Sequence, residues 1–353
     1  MKEKHLYIYA GIFVFLMLIY FVTKPRHTSV NVDEIVQTIV IGVAKEDVKN
    51  IEVYKQTTSD KPIQMVFTQR DDQWYIPTKY GCKAQKSRIE RLLDDILEMT
   101  GKVRSSDPKH FDSYKISDEQ GLHLILKDET NKPLANLIIG KRAEDYSSGF
   151  VRFGGKEKVY AVDKNLLSSL GIYGEIDTLS QFNHSSFVDL QAVNQDAGKL
   201  EMIAVVDKGK ELVIKKVEKQ VEVTNPDSTK GTRTEYEWVL LKGPREIKLD
   251  QREVSNFINT VTKIYAQEVV DRMGNTLGDF DKVGRYGFGR PTTYVVFKPK
   301  DKSQENVLFG REYEKDKGYY MNVQYDGLVY KVMKSNVDRI VKWVDDLPKK
   351  VAK

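Results

Sequence analysis

Two long stretches of the sequence repeat each other, and this duplication limits the possible folds more than any other feature. The matching blocks occur in the same order in both stretches, and the last two pairs share one offset of 170 residues. Chance is a poor explanation for such an ordered series, so the chain is predicted to contain one structural unit twice. The matched blocks are residues 45–53 with 194–202, 73–76 with 237–240, 89–99 with 254–264, 137–141 with 307–311 and 159–164 with 329–334.

Each unit is predicted to contain strands, then a helix, then further strands. Apolar residues spaced at i, i+3, i+4 and i+7 mark one buried helix face in 89–99 and again in 254–264. Elsewhere apolar and polar residues alternate, which is typical of half-buried antiparallel strands. Long crossover helices are missing, and this disfavours a Rossmann-like parallel sheet. The candidate strands of the first unit are 51–55, 63–69, 73–76, 122–127, 134–139, 149–153 and 159–162, and a short helix at 165–170 corresponds to 336–341.

The predicted fold class is therefore α+β: an N-terminal transmembrane helix followed by two tandem, duplicated α+β domains with mainly antiparallel sheets. A mildly apolar stretch at 35–43, read as a short helix or strand, leads into the first domain. The predicted divisions are a tail and anchor at 1–27, a linker at 28–44, the first repeat at 45–187, the second repeat at 188–347 and a C-terminal tail at 348–353.

Residues 6–22 form an uncharged, apolar run of 17 residues. As a helix the run would be ~26 Å long, close to the thin limit of a bilayer core. Tyr7 and Tyr20 suit the two membrane interfaces, and Lys4 and Lys24 can extend outward from its ends. Because the run is apolar all round, a transmembrane anchor is favoured over a buried soluble helix.

A cleaved signal peptide is the rival interpretation of this run. Residues 23–26 read Thr-Lys-Pro-Arg, which is a poor cleavage site. Two basic residues on each side leave the positive-inside rule undecided. A short tail, one span and a long domain favour a cytoplasmic N-terminus at the cytoplasmic membrane, with the bulk of the chain extracytoplasmic.

The charge distribution argues against nucleic-acid binding. The formal net charge is +5, and residues 1–27 contribute +3 of it, so the body carries only +2. Electrostatic binding to nucleic acid needs a concentrated basic face, which this balance does not indicate. The single cysteine, Cys82, excludes an intramolecular disulfide.

A search for catalytic residues identifies none. The histidines of the body are His110, His123 and His184, and they form no metalloprotease-type helical pair. Cys82 lies in a turn with no partner that the sequence identifies, although His110 or His123 could lie near it.

Motifs for phosphate or dinucleotide binding are also missing. Residues 149–156 resemble a P-loop only loosely, because the spacing fails and Glu157 replaces the required hydroxyl residue. Gly284, Gly287 and Gly289 do not make the dinucleotide fingerprint. No catalytic, cofactor-binding or metal-binding residue and no cofactor is therefore predicted.

Equivalent positions of the two units invite either a functional or a structural interpretation. Trp74 and Trp238 precede the two helices, and a core anchor is favoured over a ligand-stacking platform. Gly140 and Gly310 are expected at tight turns or bulges. Arg152 aligns with Asn322, so a charge there is not required by the fold, and this suggests a surface contact.

The second unit departs from the first over residues 218–235. Its centre, 225–232, is rich in turn-forming residues and reads as a long exposed hairpin loop. A tolerated surface insertion and a projection that contacts a partner both remain open.

The Trp74 strand, the helix at 89–99 and the strands at 137–140 and 159–162 resemble the family called Domain of Unknown Function 4340. The Tyr-Gly-Phe at 286–288 with Pro291 is similar to the family's Tyr-Gly-Leu…Pro element, whereas 114–116 lacks the glycine. The resemblance covers roughly 45–345 in two copies, plus the anchor. It implies a membrane-anchored, extracytoplasmic protein of a family often associated with gliding-motility-type ABC transporters, and it implies no catalytic residues.

Three functional hypotheses follow. The leading one is a non-enzymatic accessory protein that is held at the membrane and binds subunits of an ABC-type transporter or its cargo. The second is an envelope module that binds glycan or lipid in an apolar or aromatic groove between the repeats. The third is an enzyme of unrecognised type, whose ionisable side chains would have to converge in one pocket.

Overall fold

The computed structural model describes residues 36–57, 62–224, 230–273, 280–291, 293–300 and 302–351, together with the helical, exposed positions Phe13, Phe15 and Met17. Within this part of the chain, no helix is long and apolar enough to cross a membrane. The predicted anchor at 6–22 lies outside the described residues except for those three positions.

The described chain is dominated by strands. The strands are β1 (Gln37–Thr38), β2 (Asn50–Lys55), β3 (Ile63–Arg70), β4 (Gln73–Ile76), β5 (Cys82–Lys83), β6 (Thr100–Ser105), β7 (Leu122–Lys127), β8 (Pro133–Arg142), β9 (Gly149–Phe153), β10 (Val159–Val162), β11 (Gln191–Asn194), β12 (Leu200–Asp207), β13 (Lys210–Thr224), β14 (Lys230–Lys242), β15 (Arg245–Lys248), β16 (Lys263–Tyr265), β17 (Glu268–Arg272), β18 (Thr293–Pro299), β19 (Glu305–Glu314), β20 (Gly318–Val323) and β21 (Leu328–Met333). The helices between residues 36 and 351 are α1 (Lys86–Leu97), α2 (Phe111–Tyr114), α3 (Leu166–Ser169), α4 (Gln251–Thr262), α5 (Phe280–Tyr286) and α6 (Lys334–Asp346).

These strands form two large sheets, and a β11–β16 pair forms a third, small one. The strand order is β1-β6-β10-β9-β8-β7-β2-β3-β4-β5 in the first sheet and β17-β21-β20-β19-β18-β12-β13-β14-β15 in the second. The described pairings are antiparallel, so the predicted α+β class with antiparallel sheets is confirmed.

The two large sheets share one strand order. In each sheet the strand that follows the unit's main helix, β6 or β17, pairs with the last of four hairpin-linked strands, β7–β10 or β18–β21. The first of those four pairs with the first of four further strands, β2–β5 or β12–β15, and β1 forms the outer edge of the first sheet beside β6. The division between the units near residue 187 stays a prediction, since one continuous cluster of buried side chains extends through both sheets.

Most predicted strands match the structure to within a few residues at either end. The helices deviate more: α1 ends at Leu97, so Met99 is buried beyond it, and α6 is longer than the predicted 336–341. Strand β1 lies within 35–43, for which the prediction left a short helix or strand open. The strands β5 and β6 were not predicted, because β5 is two residues long and β6 lacks an alternating pattern.

Each sheet carries its main core on one face and a smaller cluster on the other. Helix α1 buries Ile89, Leu92 and Ile96 in the main core. Ile116 packs with Ile138 in the small cluster of the first sheet. The equivalent cluster of the second sheet contains Met273, Tyr286, Phe288 and Val329.

Candidate functional site

A cleft of about 670 Å³ lies at the junction of the two sheets. It is bounded by the start of β3, the turn after β4, the connector at 181–190 and the start of β17. Its lining is mixed: Phe182 and Leu190 are apolar, whereas Gln64, Asn183 and Gln267 offer hydrogen-bonding groups. The cleft is therefore more polar than the apolar or aromatic groove that the glycan or lipid hypothesis predicts.

The connector is fixed to the first sheet by its backbone. The Gln85 amide donates to the Phe187 carbonyl (2.7 Å), and the Asp189 amide donates to the Lys83 carbonyl (2.9 Å). The ring of Phe187 packs 4.9 Å from that of Phe67, inside the main core. This wall of the cleft is consequently held in place by a side chain that is buried in the main core.

A carboxylate at the start of β17 is shared by two lysines at the mouth of the cleft. Lys331 Nζ lies 2.9 Å from Glu268 Oε2, and Lys79 Nζ lies 3.7 Å from Glu268 Oε1. The hydrogen bond from Lys331 lowers the pKa of Glu268, against the opposing effect of burial. Since Lys79 precedes β5 of the first sheet, the triplet joins the two sheets electrostatically.

Arg272, at the end of β17, forms a second connection between the sheets. Its Nε donates to the Tyr80 carbonyl (2.6 Å) and its Nη2 to the Gly81 carbonyl (3.1 Å). Its Nη1 donates to the Asp326 carbonyl within the second sheet (2.7 Å). One guanidinium thus holds a turn of each unit, which its fixed fork of donors allows.

Cys82 and His184 lie near this junction but show no nucleophilic pairing. Burial raises the pKa of the Cys82 thiol to about 12. Burial, with a contribution from Lys79, lowers the pKa of His184, whose Nε2 lies 3.3 Å from Thr78 Oγ1. A catalytic thiol needs a lowered pKa, so Cys82 has the wrong environment for that role.

The other two histidines of the body lie elsewhere. His110 Nδ1 lies 2.9 Å from Ser105 Oγ, and His123 Nε2 lies 2.8 Å from the Asp118 carbonyl oxygen. His123 also stacks on Tyr54 at 4.5 Å. In the described part of the chain, no hydrogen bond or ring contact joins any two of His110, His123, His184 and Cys82. No group of three potential metal ligands occurs there either.

Arg152 is a core residue, and the predicted surface contact is wrong. The residue is 2% exposed, and its Nε donates to the Ile116 carbonyl (2.6 Å). Its Nη2 lies 3.0 Å from Asp118 Oδ1, an ion pair by distance that lacks hydrogen-bond geometry. The prediction assumed that an arginine lies at the surface if the equivalent position of the other unit is uncharged. That assumption fails at Arg152.

The tryptophans and glycines have the predicted structural roles. Trp74 and Trp238 are buried. Gly140 and Gly310 lie at register shifts of β8 and β19, where a β-carbon would collide with a carbonyl oxygen of the preceding helix. The core and bulge interpretations are confirmed.

The second sheet also carries a projecting two-stranded ribbon, formed by residues 216–224 of β13 and 230–238 of β14. Strand β12 pairs with β13 only as far as Lys215, and β15 pairs with β14 only from Val239. Beyond these points, within the described residues, the two strands pair only with each other, up to Thr224 opposite Lys230. At ~3.3 Å per residue the ribbon reaches about 27 Å.

Both edges of the ribbon therefore present backbone groups without a partner strand in the described chain. Its charged side chains balance in sign: Lys216, Lys219, Lys230 and Arg233 against Glu218, Glu222, Glu235 and Glu237. Lys216 fastens the base, because its Nζ donates to the Gly198 carbonyl (2.7 Å) and lies 5.7 Å from the Trp238 ring centroid. Of the predicted loop centre, 225–232, residues 225–229 lie outside the described residues, and residues 230–232 belong to strand β14, so the loop prediction is wrong for those three.

In the part of the first sheet that the structure describes, there is no such ribbon. Its equivalent hairpin, β3–β4, closes directly after the pair Arg70 and Gln73, through the two-residue turn Asp71-Asp72. The ribbon is thus an addition to a unit that folds without it.

Comparison with known proteins identifies a family. No curated protein and no solved structure matches the chain. The model of the family described as "Domain of unknown function (DUF4340)" matches residues 74–272, a stretch from β4 of the first sheet to the end of β17 in the second. This match spans more than half of the sequence, and the chain belongs to the DUF4340 family.

Proposed function

We propose that this chain is a non-catalytic accessory protein of the cytoplasmic membrane, with two tandem, duplicated domains on the extracytoplasmic side. Residues 6–22 would anchor it, and its partner would be the extracytoplasmic part of an ABC-type transporter or that transporter's cargo. The observation that supports partner binding best is the ribbon, because among the described residues only the second sheet carries it.

The ribbon suits protein binding for a physical reason. Unpaired strand edges are a liability that folded proteins usually cover, shorten or charge. An exposed edge of this kind can add a strand from a partner, and backbone hydrogen bonds then supply much of the affinity. The balanced charges at its surface would limit aggregation while leaving the edges accessible.

The test is to shorten the β13–β14 hairpin to the length of the β3–β4 hairpin. Replacing residues 218–236 by Asp-Asp would close β13 and β14 after Val217 and Glu237, as Asp71-Asp72 closes β3 and β4 after Arg70 and Gln73. We expect unfolding temperature to be unchanged and the transporter subunits to be lost from crosslinked, gently solubilised membranes. The matched control is Lys315→Ala, a change in an exposed turn of the same sheet.

Two outcomes would oppose the proposal in different ways. Recovery of the same transporter subunits with the shortened hairpin would reject the ribbon as the binding element. Recovery of the unmodified chain alone at every crosslinker concentration would reject the accessory function itself.

A second candidate function rests on the junction cleft. Its volume of about 670 Å³ is in the range of small-ligand sites. Gln64, Asn183 and Gln267 provide the amide donors and acceptors that sugar hydroxyls pair with. Binding of envelope oligosaccharides that is lost in Asn183→Ala and kept in the ribbon deletion would favour this function over the first.

A further inference from the structure

A basic hollow of about 680 Å³ lies on the small-cluster face of the first sheet, far along the sheet from the β4–β5 edge that meets the second one. We define it by Lys102, Arg104, Lys141, Arg142, Tyr146 and Phe150. The acids in its lining are Glu144 and Glu175, so the lining carries a net charge of +2.

Two of these cations are available to a ligand. Arg104 and Lys141 are exposed, and neither has an ion-pair partner in the described part of the chain. Arg142 is already engaged: its Nη1 donates to the Tyr173 carbonyl (2.7 Å), and its Nη2 lies 3.4 Å from Glu175 Oε1. The engaged arginine therefore shapes the wall, and the two others supply free positive charge.

Aromatic side chains border the same hollow. The ring of Tyr146 lies 4.9 Å from the Arg142 guanidinium, and Tyr114 packs against Phe150 at 4.6 Å. Tyr146 is 67% exposed and Tyr173 is 69% exposed. Exposed tyrosines beside lysine and arginine are typical of surfaces that lie at a membrane interface.

The second sheet shows that a charge at the position of Arg104 is not required by the shared fold. Pairing places Lys102 opposite Ala161 in the first sheet and Glu268 opposite Lys331 at the equivalent point of the second. Strands β6 and β17 each have a register shift two residues after this point, which leaves one residue without a partner opposite it. That residue is Arg104 in β6 and Val270 in β17, so the two correspond. In the second sheet Glu268 pairs with Lys331, and the uncharged Val270 stands where the first sheet has the exposed Arg104.

The chain enters the sheet beside the hollow. Strand β1 pairs with the start of β6, with Gln37 opposite Gly101, and Lys102 follows directly. The 14 residues 23–36 join the uncharged run to this point. Fully extended they span at most ~50 Å, and a short tether of this kind gives a high effective concentration of the membrane surface.

We propose that the basic hollow binds the headgroup phosphate of an anionic phospholipid in the membrane that anchors the chain. Arg104 and Lys141 donate to the phosphate oxygens, and Tyr146 and Tyr173 lie among the headgroups. This inference rests on the anchor of the proposed function, but it does not depend on the ribbon or on any transporter. Docking would fix the first sheet against the bilayer and direct the second sheet away from it.

The test uses the full chain in lipid nanodiscs made of phosphatidylcholine alone or mixed with phosphatidylglycerol, each containing a headgroup-nitroxide lipid. A Tyr173→Cys variant carries a fluorophore, because the buried Cys82 is inaccessible to the label and the Tyr173 carbonyl is retained. We expect stronger quenching with phosphatidylglycerol, and loss of the difference at about 0.5 M salt.

Substitutions assign the effect to the hollow. Arg104→Val introduces the residue found at the equivalent point of the second sheet, and Lys141→Ala removes the other free cation. Each should lower the ratio of docked to undocked protein about five-fold. Arg311→Ala is the matched control, since Arg311 is the exposed counterpart of Lys141 in the second sheet, and it should change nothing.

The outcomes separate this inference from the proposed function. Equal quenching in both lipid mixtures would overturn the lipid site while leaving the accessory function intact. The same holds if Arg311→Ala reduces docking as much as Arg104→Val and Lys141→Ala do. Docking that is abolished by a soluble anionic polysaccharide but insensitive to phosphatidylglycerol would assign the hollow to a glycan and overturn the lipid. A chain that does not enter the nanodiscs would contradict the anchor on which both depend.

Discussion

Arg152 and Asn322 occupy equivalent positions of the two sheets and satisfy the same turn with different side chains. Arg152 Nη1 lies 3.3 Å from the Lys156 carbonyl oxygen, and Asn322 Nδ2 donates to the Leu328 carbonyl (2.9 Å). Both side chains are buried. The requirement that the two units share is thus a buried donor at the turn, and the charge on Arg152 is incidental to it.

Replacing Arg152 should destabilise the protein severely. Arg152→Ala removes the donor to the Ile116 carbonyl and leaves buried acceptors unsatisfied, so we expect the free energy of unfolding to fall by about 2–4 kcal/mol. Denaturant unfolding measures this, with the exposed Lys156→Ala as control. A loss no larger than that of the control would mean that the buried donor is dispensable.

Two glycines, Gly310 on β19 and Gly284 on helix α5, offer a test of close packing. In Gly310→Ala the new methyl group meets the Tyr286 carbonyl and the Phe288 ring, and we expect a loss of about 1–3 kcal/mol in unfolding free energy. Gly284→Ala is the matched control, because its methyl group meets nothing within 4 Å and a helical alanine should gain about 0.5–1 kcal/mol. Thermal unfolding of both variants gives the comparison, and equal shifts would contradict the close approach.

The sequence predicted those parts of the fold that depend on local patterns. Strands such as β7 and helix α1 have a clear period, and Gly140 and Gly310 stand out because the two units share them. Predicting the contacts of Arg272 and Glu268 requires the positions of residues nearly two hundred places apart, which no local pattern carries. The free charges of Arg104 and Lys141 depend on which acids lie nearby, and this is known only once the strands are paired.

The thiol of Cys82 should make stability pH-dependent in the alkaline range. Its pKa in the folded chain is about 12, raised from 9.0 by burial, so the neutral thiol is favoured on folding. The stabilisation that the neutral thiol gives the folded chain is complete below pH 9. It decreases as the pH rises from about 9 to about 12, because the thiol of the unfolded chain loses its proton at a lower pH than the thiol of the folded chain. The difference in unfolding free energy between the unmodified chain and Cys82→Ala should therefore narrow between pH 8 and pH 10.5. A constant difference would place the thiol in a more polar environment.

Arg272 should control how tightly the turn before β5 is held. Arg272→Ala removes two donors to the Tyr80 and Gly81 carbonyls. We expect the free energy of unfolding to fall by about 1–2 kcal/mol, a modest loss because the side chain is exposed. Hydrogen exchange at residues 79–83 should accelerate, whereas Arg252→Ala, an exposed change on α4, should leave it unchanged. Unaltered protection at this turn would show that the remaining contacts hold the junction alone.

The orientation of the chain can be tested through the ribbon. Lys219 and Arg233 are exposed on strands without a covering neighbour in the described chain, so trypsin should cut there early. If the domains are extracytoplasmic, trypsin added to intact spheroplasts will cleave the chain while a cytoplasmic marker protein stays whole. The variant with residues 218–236 replaced by Asp-Asp should resist this early cleavage, which assigns the cut to the ribbon. Protection of the unmodified chain until lysis would instead place the domains in the cytoplasm and reverse the proposed location.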